Sequence, residues 1–385
     1  LKQIQHIGII GAGIAGLTAG IMLQKKGFKI SIFEASPNIR GIGAGIGLAS
    51  NGIKAFEYLG LAEAVKEISY PLESFEVSDE KGKKLFSIDT ERISRNYNQG
   101  NFSIHRADLH AFLVNQLKGD PIQVSKKLKN LEQQSEKVIL KFEDQTQVKV
   151  DFVIGADGIN STTRQLLIPD AQPQYAGYWC WRGIVSHNKV IFKNSRAFWG
   201  KMGRFGITPI SENSVYWFAC KNSSLTGEIS QFDLEDLKEN FKEYHPKVST
   251  LLNLSKKDEI ISTPIMDLKP LKNFLFSKVL LIGDAAHAAT PNMGQGACMA
   301  LEDVAVLQDE LQQHDFLTAC LNFEKRRLKR TEYIIKNSRR AGRIAQTQQS
   351  FLLFLRNNMF RLLPEKLTQL PVRALYDEDF MKVGT

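Results

Sequence analysis

The 385-residue chain has little cysteine and no long apolar run. Its four cysteines, Cys180, Cys220, Cys298 and Cys320, are scattered, with no C-x-x-C pair and no His/Cys spacing suited to a metal. That excludes a disulfide scaffold and a zinc-binding module, and implies a reducing, cytoplasmic setting. No stretch approaches the roughly 20 apolar residues that span a bilayer. The first strand begins almost at once, so no signal peptide is expected. Repeats and low-complexity tracts are missing too, which excludes solenoids. Acidic residues are in the minority, 41 against 50 Lys and Arg, for a net charge of +9. Most of that surplus lies between Glu324 and Arg343, where nine basic residues meet two acids. Such a run reads first as a solvated helix face, and second as attraction for an anionic nucleotide or a membrane surface. Nucleic acid is not indicated, because the basic residues are not interleaved with aromatics.

What the chain does have is glycine in a particular place. Ile7-Gly8-Ile9-Ile10-Gly11-Ala12-Gly13-Ile14-Ala15-Gly16-Leu17 reads as a buried strand, a tight turn and a helix. Gly11 permits the turn, Gly13 lets the backbone approach a pyrophosphate, and Gly16 lets the helix pack against the strand. The amides of Ala15 and its neighbours open the helix, with its positive dipole end, toward such phosphates. A second strand, Lys29–Phe33, ends at Glu34, where a carboxylate can accept from both hydroxyls of an adenosine ribose. An acid there disfavours a 2′-phosphate, so the ligand expected is the ADP part of FAD or NAD.

Further along, Arg40 precedes a glycine-rich stretch, Gly41–Gly47, which reads as a loop. Asn51 is placed to cap a helix, 73–89 reads as a hairpin, and Arg106 opens another helix. Two more buried strands end in glycine-acid turns, at Gly155-Ala156-Asp157-Gly158 and at Gly283-Asp284. Between them, Tyr178 to Ala219 reads as all-β, and helices fill the C-terminal part. The order predicts a Rossmann-like α/β domain of the glutathione-reductase type, with a β-rich substrate domain inserted and a C-terminal helical segment. The expected boundaries are 1–70, 98–172 and 270–315 for the nucleotide domain. The substrate domain takes a hairpin at 71–97 and a β-rich unit at 173–269, and C-terminal helices fill 316–385. If the three strands share one parallel sheet, their carboxyl ends crowd one crevice. Two extra glycine-acid turns suit a cofactor that reaches past its pyrophosphate.

These motifs resemble those of the class A FAD-dependent monooxygenases, the family that includes p-hydroxybenzoate hydroxylase. The resemblance covers essentially the whole chain. It rests on Gly11-x-Gly13-x-x-Gly16 with Glu34, on Asp151 to Arg164 around Asp157-Gly158, and on Gly283-Asp284 followed by Thr290-Pro291-Asn292-Met293-Gly294-Gln295-Gly296. It implies FAD contacts by Arg40, Arg106, Asp157, Gly158, Arg164, Gly283 and Asp284. It also implies a loop over the flavin at Pro291, and backbone donors at Gly294, Gly296 and Ala297. Tightly bound, non-covalent FAD, transient NADPH or NADH, O2 and a small to medium organic substrate are the implied partners. The implied chemistry is hydroxylation or epoxidation through a flavin C4a-hydroperoxide. Alternatives are a flavin-dependent reductase or desaturase, and a non-catalytic flavin-binding protein.

Within the family, Gly177–Gly183, Trp199–Pro209 and Val215–Phe218 are similar to the zeaxanthin epoxidase and FAD-dependent urate hydroxylase branch. That similarity implies substrate contacts by Arg204 and Tyr216. Asn292 stands where urate hydroxylases carry an aspartate, and an amide cannot take a proton as a carboxylate can. Trp181, Phe205 and Phe218 read as core. His287 reads as locally packed. The apolar run Phe351–Leu355, with Phe360, Leu362 and Leu363, reads as an interdomain contact rather than a membrane anchor.

Overall fold

A computed structural model describes residues 4–39, 41, 43–89, 97–186, 192, 194–225, 232–364 and 379–382. The strand His6–Ile10 lies inside a six-stranded sheet. It pairs in parallel with Lys29–Phe33 on one side and with Phe152–Gly155 on the other. Val279–Leu281 continues the parallel run beside Phe152–Gly155, and Ile122–Gln123 and Leu275–Phe276 form the edges. Successive side chains point to opposite faces. Ile7, Ile9, Ile30, Ile32 and Ile154 therefore enter the helix-side core. Ile10, Phe33, Val153 and Val279 meet a three-stranded antiparallel sheet of Leu128–Gln133, Val138–Phe142 and Gln147–Val150. With both faces covered, the strands read as near-continuous apolar runs. On the helix side, Gly296–Gln313 packs against Ile14–Lys25, Ser50–Tyr58 and the long helix Phe316–Ala345.

A second, seven-stranded sheet has the order Ile261–Asp267, Gln174–Ser186, Ser214–Asn222, Gly203–Pro209, Ser195–Gly200, Ser74–Asp79, Lys84–Asp89. The early hairpin joins its edge through a parallel pairing of Ser74–Asp79 with Ser195–Gly200. One face carries Trp181, Phe205, Trp217 and Ala219 and is closed by the helices Leu234–Phe241 and Pro246–Leu254. The other face carries Tyr178, Cys180 and Cys220.

Four local readings are corrected. Gly45–Leu48 is a strand, not a loop, paired with Asn101–His105. Glycine is needed at 45 because a Cβ there would come within 2.5 Å of Tyr216 Cβ. Asn51 caps nothing: the helix begins at Ser50 with Ala49 as its cap, and Asn51 is buried against the helix Gly296–Gln313. The basic run is not a simple solvated face, since Arg327 and Arg330 are buried. The last helix, Ser350–Leu362, lies on the seven-stranded sheet. Phe360 packs on Phe86 and Trp199, the Arg356 guanidinium sits 5.3 Å from the Trp199 ring centre, and Arg361 pairs with Asp79. Phe360 makes the interdomain contact, but Phe351, Leu352, Phe354 and Leu355 face outward.

Candidate active site

The three glycine turns do converge. The Gly11 N–H donates to Phe33 O at 2.8 Å, tying the first two strand ends together. Gly11 has φ +101°, and a Cβ there would meet Ala156 O of the third turn at 2.5 Å. At Gly16 a Cβ would lie 2.0 Å from Gly11 O, so only glycine allows this helix–turn contact. At Gly283 it would lie 2.9 Å from the Ala15 side chain, which places the fourth strand's turn on the fingerprint helix.

Around this junction the crevice is polar and open. A Cβ on Gly13, Gly158 or Gly294 would meet nothing within 4 Å. The helix beginning at Ile14 has no side-chain cap. The helix beginning at Gly296 has none either and no acid in its first turn. Both N-termini keep amides for an anionic or carbonyl ligand. Glu34 stands at the mouth, its Oε2 accepting from Ala12 N and its Oε1 from Ser36 N, both at 2.8 Å. The Asp284 side chain is open to the crevice, yet protein crowds it. That desolvation raises its carboxyl pKa, with the charges of His287, Arg106 and Arg164 pulling the other way. Arg106 lies under the glycine stretch, against Gly43, and burial lowers its pKa while Asp284 opposes. Beside Asp284, Gly296 and Ala297 are half-buried, and Pro291 and Gly294 are exposed along the rim.

Not every expected contact reaches the crevice. Arg164 is fully buried, and its guanidinium donates to the carbonyls of Ala171, Ala285 and Ile159. It clamps the Asp157 turn to the Asp284 turn, which corrects its reading as a cofactor contact. The Asp157 carboxylate accepts from the Ser161 hydroxyl and from the Thr163 amide and hydroxyl. It shapes the turn that holds Gly158. Arg40 lies outside the described residues.

Behind the crevice is a charge network that motif reading missed. Glu302 accepts from Arg327, Arg330 and Asn51 at 2.6–2.8 Å. Asp303 accepts from Arg327 Nε at 2.7 Å and from Gly283 N at 2.8 Å, and pairs with His287 Nε2 at 2.6 Å. All these side chains are buried. Burial raises the Glu302 pKa, but the two arginines outweigh it and bring it down to about 2. His287 is thus a strut between the Asp284 turn and the helix behind it. Glu302-Asp303 stands in the apolar first half of the helix Gly296–Gln313, and the arginine partners lie on another helix.

The open face of the seven-stranded sheet supplies the other wall. Cys180 pairs across strands with Cys220, and Arg204 with Cys220. Arg204 is buried, donates from Nη2 to Cys220 Sγ at 3.5 Å and lies 5.6 Å from the Tyr178 ring centre. Its Nε has no partner among the described residues. Arg182, two residues beyond Cys180, donates to Thr263 Oγ1 at 2.9 Å and sets its charge near the Tyr216 phenol. Among the described residues neither arginine pairs with a carboxylate. Burial pushes the Tyr216 phenol up, although Arg182 pulls it down. The Cys220 thiol moves the other way: burial would raise it, but the Cys180 hydrogen bond and both guanidiniums bring it down. Tyr216 and Arg204 therefore share one face, as the sequence implied, and Phe218 shares it too rather than lying in the core. Arg182 was missed, although it alternates with Tyr178 and Cys180 along one strand.

Asn292 joins this wall to the crevice rim. Its Oδ1 accepts from Tyr178 OH at 3.1 Å, and its Nδ2 donates to Thr290 Oγ1 and Ser338 O at 2.8 and 2.9 Å. The amide's orientation follows from these partners.

Residues 5–314 match the FAD binding domain family model. The chain belongs to the class A FAD-dependent monooxygenases. It is 30% identical to the aurachin C monooxygenase/isomerase of Stigmatella aurantiaca, covering 92% of this chain and 93% of that one. It is 29% identical to the 2-heptyl-3-hydroxy-4(1H)-quinolone synthase of Pseudomonas aeruginosa, covering 98% of both. The solved structure of Klebsiella pneumoniae HpxO complexed with FAD and uric acid shares the fold, with a TM-score of 0.88 at 24% identity. That likeness spans 97% of this chain and 96% of the other. FAD is the cofactor and NAD(P)H the reductant typical of this family, and the Rossmann-like fold expected from the motifs is the one found.

Proposed function

We propose that this monooxygenase oxygenates a planar, oxygen-bearing aromatic or heteroaromatic ring, held with its oxygen toward Arg204 and Arg182. The observation that carries this reading is the pair of guanidiniums on the sheet's open face, one buried and one half-buried, with no carboxylate partner among the described residues. A buried cation without a counter-charge is costly, and an oxyanion or polarised carbonyl on the ligand relieves that cost. The 4(1H)-quinolone in one relative's name is a ring of this kind.

The open cradle at Gly13 and the two uncapped helix starts fit a dinucleotide. In our reading segments 1–70, 98–172 and 270–315 carry FAD, and the hairpin at 71–97 with the unit at 173–269 carries the substrate. The amides at Gly13 to Gly16 would take the pyrophosphate and Glu34 the adenosine ribose. Asp284 and Arg106 would hold the central part, and the amides at Gly296 and Ala297 would serve the flavin ring, while the Gly294 amide is held by the Pro291 carbonyl. FAD, once bound and reduced by NAD(P)H, supplies oxygen activation. The protein's own share is positioning. Arg204 and Arg182 orient the ring, Thr263 fixes Arg182, Tyr216 lies on the same face, and Pro291 shapes the rim. Neither arginine serves as a base, since guanidinium stays protonated. The site works by alignment and exclusion of water rather than by proton abstraction through a pocket carboxylate.

A series of quinolones, hydroxybenzoates and their deoxygenated analogues tests this. Rings bearing the oxygen are expected to stimulate NAD(P)H oxidation and to incorporate label from 18O2, while the analogues lacking it do neither. Equal stimulation by both sets refutes the recognition proposed.

A further inference from the structure

The last helix, Ser350–Leu362, is built inside out. The side turned to the protein holds Arg356 and Asn357, both buried, and Arg361, paired with Asp79. Arg356 donates to the carbonyls of Ile344 and Ala345 at the end of the long helix, and to Asn357 Oδ1. The side turned to solvent is apolar. Phe351 is 70% exposed, Phe354 64% and Leu362 83%, with Leu352, Leu355 and Met359 close to half. A surface helix ordinarily shows the reverse arrangement. Ile344 at the adjoining helix end is exposed as well.

We infer that this face is a peripheral docking surface for an anionic lipid bilayer. Charge is what selects the partner. From Tyr333 to Pro364 the sequence has no Asp or Glu, while Lys336, Arg339, Arg340, Arg343, Arg356 and Arg361 all fall within it. Lys336, Arg340 and Arg343 are exposed, and Arg343 adjoins Ile344. Lys336 pairs with Glu332, but an apolar strip beside the exposed Arg340 and Arg343 matches a bilayer interface, where acyl chains take the rings and anionic headgroups take the arginines. A second copy of the chain meeting this face about a twofold axis would set like charges against each other. None of the described helices is long and apolar enough to cross a membrane, so the helix lies in the interface plane.

The test uses the full FAD-loaded chain and sedimentation with vesicles, either zwitterionic or containing about one-third phosphatidylglycerol. Binding to the anionic vesicles is expected to exceed binding to the zwitterionic ones by at least about tenfold, and to fall as salt rises. The triple variant Phe351→Ser, Phe354→Ser, Leu362→Ser is expected to lose that binding while keeping its FAD and its melting temperature. The double variant Arg340→Glu, Arg343→Glu is expected to lose the preference for anionic lipid. Failure of the unaltered chain to sediment with either vesicle overturns the proposal. So does binding that survives the triple variant, or a dimer in sedimentation equilibrium that the triple variant dissociates.

Discussion

The two walls of the site are made differently. The nucleotide wall is built from backbone: turns at Gly11, Gly158, Gly283 and Gly294, and two uncapped helix starts. The substrate wall of our reading is built from side chains on alternate positions of three successive strands: Tyr178, Cys180 and Arg182 on one, Tyr216 and Cys220 on the next, and Arg204 on the third. A backbone site demands glycine at fixed spacings, because a Cβ at Gly11 or Gly16 collides and Gly158 and Gly294 turn through positive φ, and this demand is written into the sequence. A side-chain site demands only the right residue facing the right way, and the alternation that hides Trp181 exposes Arg182 without any local mark.

The largest test strikes the backbone wall. In Gly16→Val the Cβ alone falls 2.0 Å from Gly11 O, so the turn must open. We expect a loss of about 3 kcal/mol or more and protein that purifies without FAD. A yellow Gly16→Val protein with normal FAD affinity would break the contrast.

Next is the buried network behind that wall. Arg327→Met leaves Glu302 and Asp303 each short of a cation, and is expected to cost about 3–5 kcal/mol by thermal or urea unfolding. The same network sets an acid limit. The folded Glu302 carboxyl has a pKa near 2, below its unfolded value, so the unfolded chain binds more protons between the two. Stability is then full above about pH 5 and falls as pH drops toward 2, with Glu302 contributing on the order of 3 kcal/mol. Glu302→Gln is expected to flatten that window. An unchanged slope in pH-dependent urea melts would remove Glu302 from the account.

Smaller effects belong to the substrate wall. Arg204→Met should retain FAD and melt near the parent temperature, since it removes an uncompensated buried charge. It should weaken substrate binding by about 1.5–3 kcal/mol, read as a raised KM with little change in flavin reoxidation. If FAD is lost instead, the two walls are not separable. The smallest effect is Asn292→Asp. A carboxylate oxygen would face the Ser338 carbonyl where Nδ2 now donates. We expect a loss of about 1–3 kcal/mol of stability and no gain in turnover. Faster turnover with a new basic limb in the pH–rate profile would show that the site wants a base after all.

The same contrast explains what could be read in advance. Gly11, Gly13, Gly16, Glu34 and Asp284 were legible because spacing alone fixes their places around a strand end. Arg164 was legible as a motif member but not as a clamp, because its role depends on the Ala171 and Ala285 carbonyls. Arg182, Glu302 and Asp303 were invisible because their partners lie on other elements. Gly45 misled, since its glycine answers to the Tyr216 ring rather than to a turn.

The central sheet also dictates the order in which the molecule can be completed. Its inner strand, His6–Ile10, is made before the sheet's other strands, yet its neighbour Phe152–Gly155 comes much later and Val279–Leu281 later still. The seven-stranded sheet draws four consecutive strands from residues 174–222 and can pair them as they emerge. Non-local pairing is slow, and exposed apolar strands invite aggregation while they wait. The strand His6–Ile10 therefore keeps one unfinished edge until Phe152–Gly155 emerges. The central strands of the seven-stranded sheet can pair before the six-stranded sheet is complete.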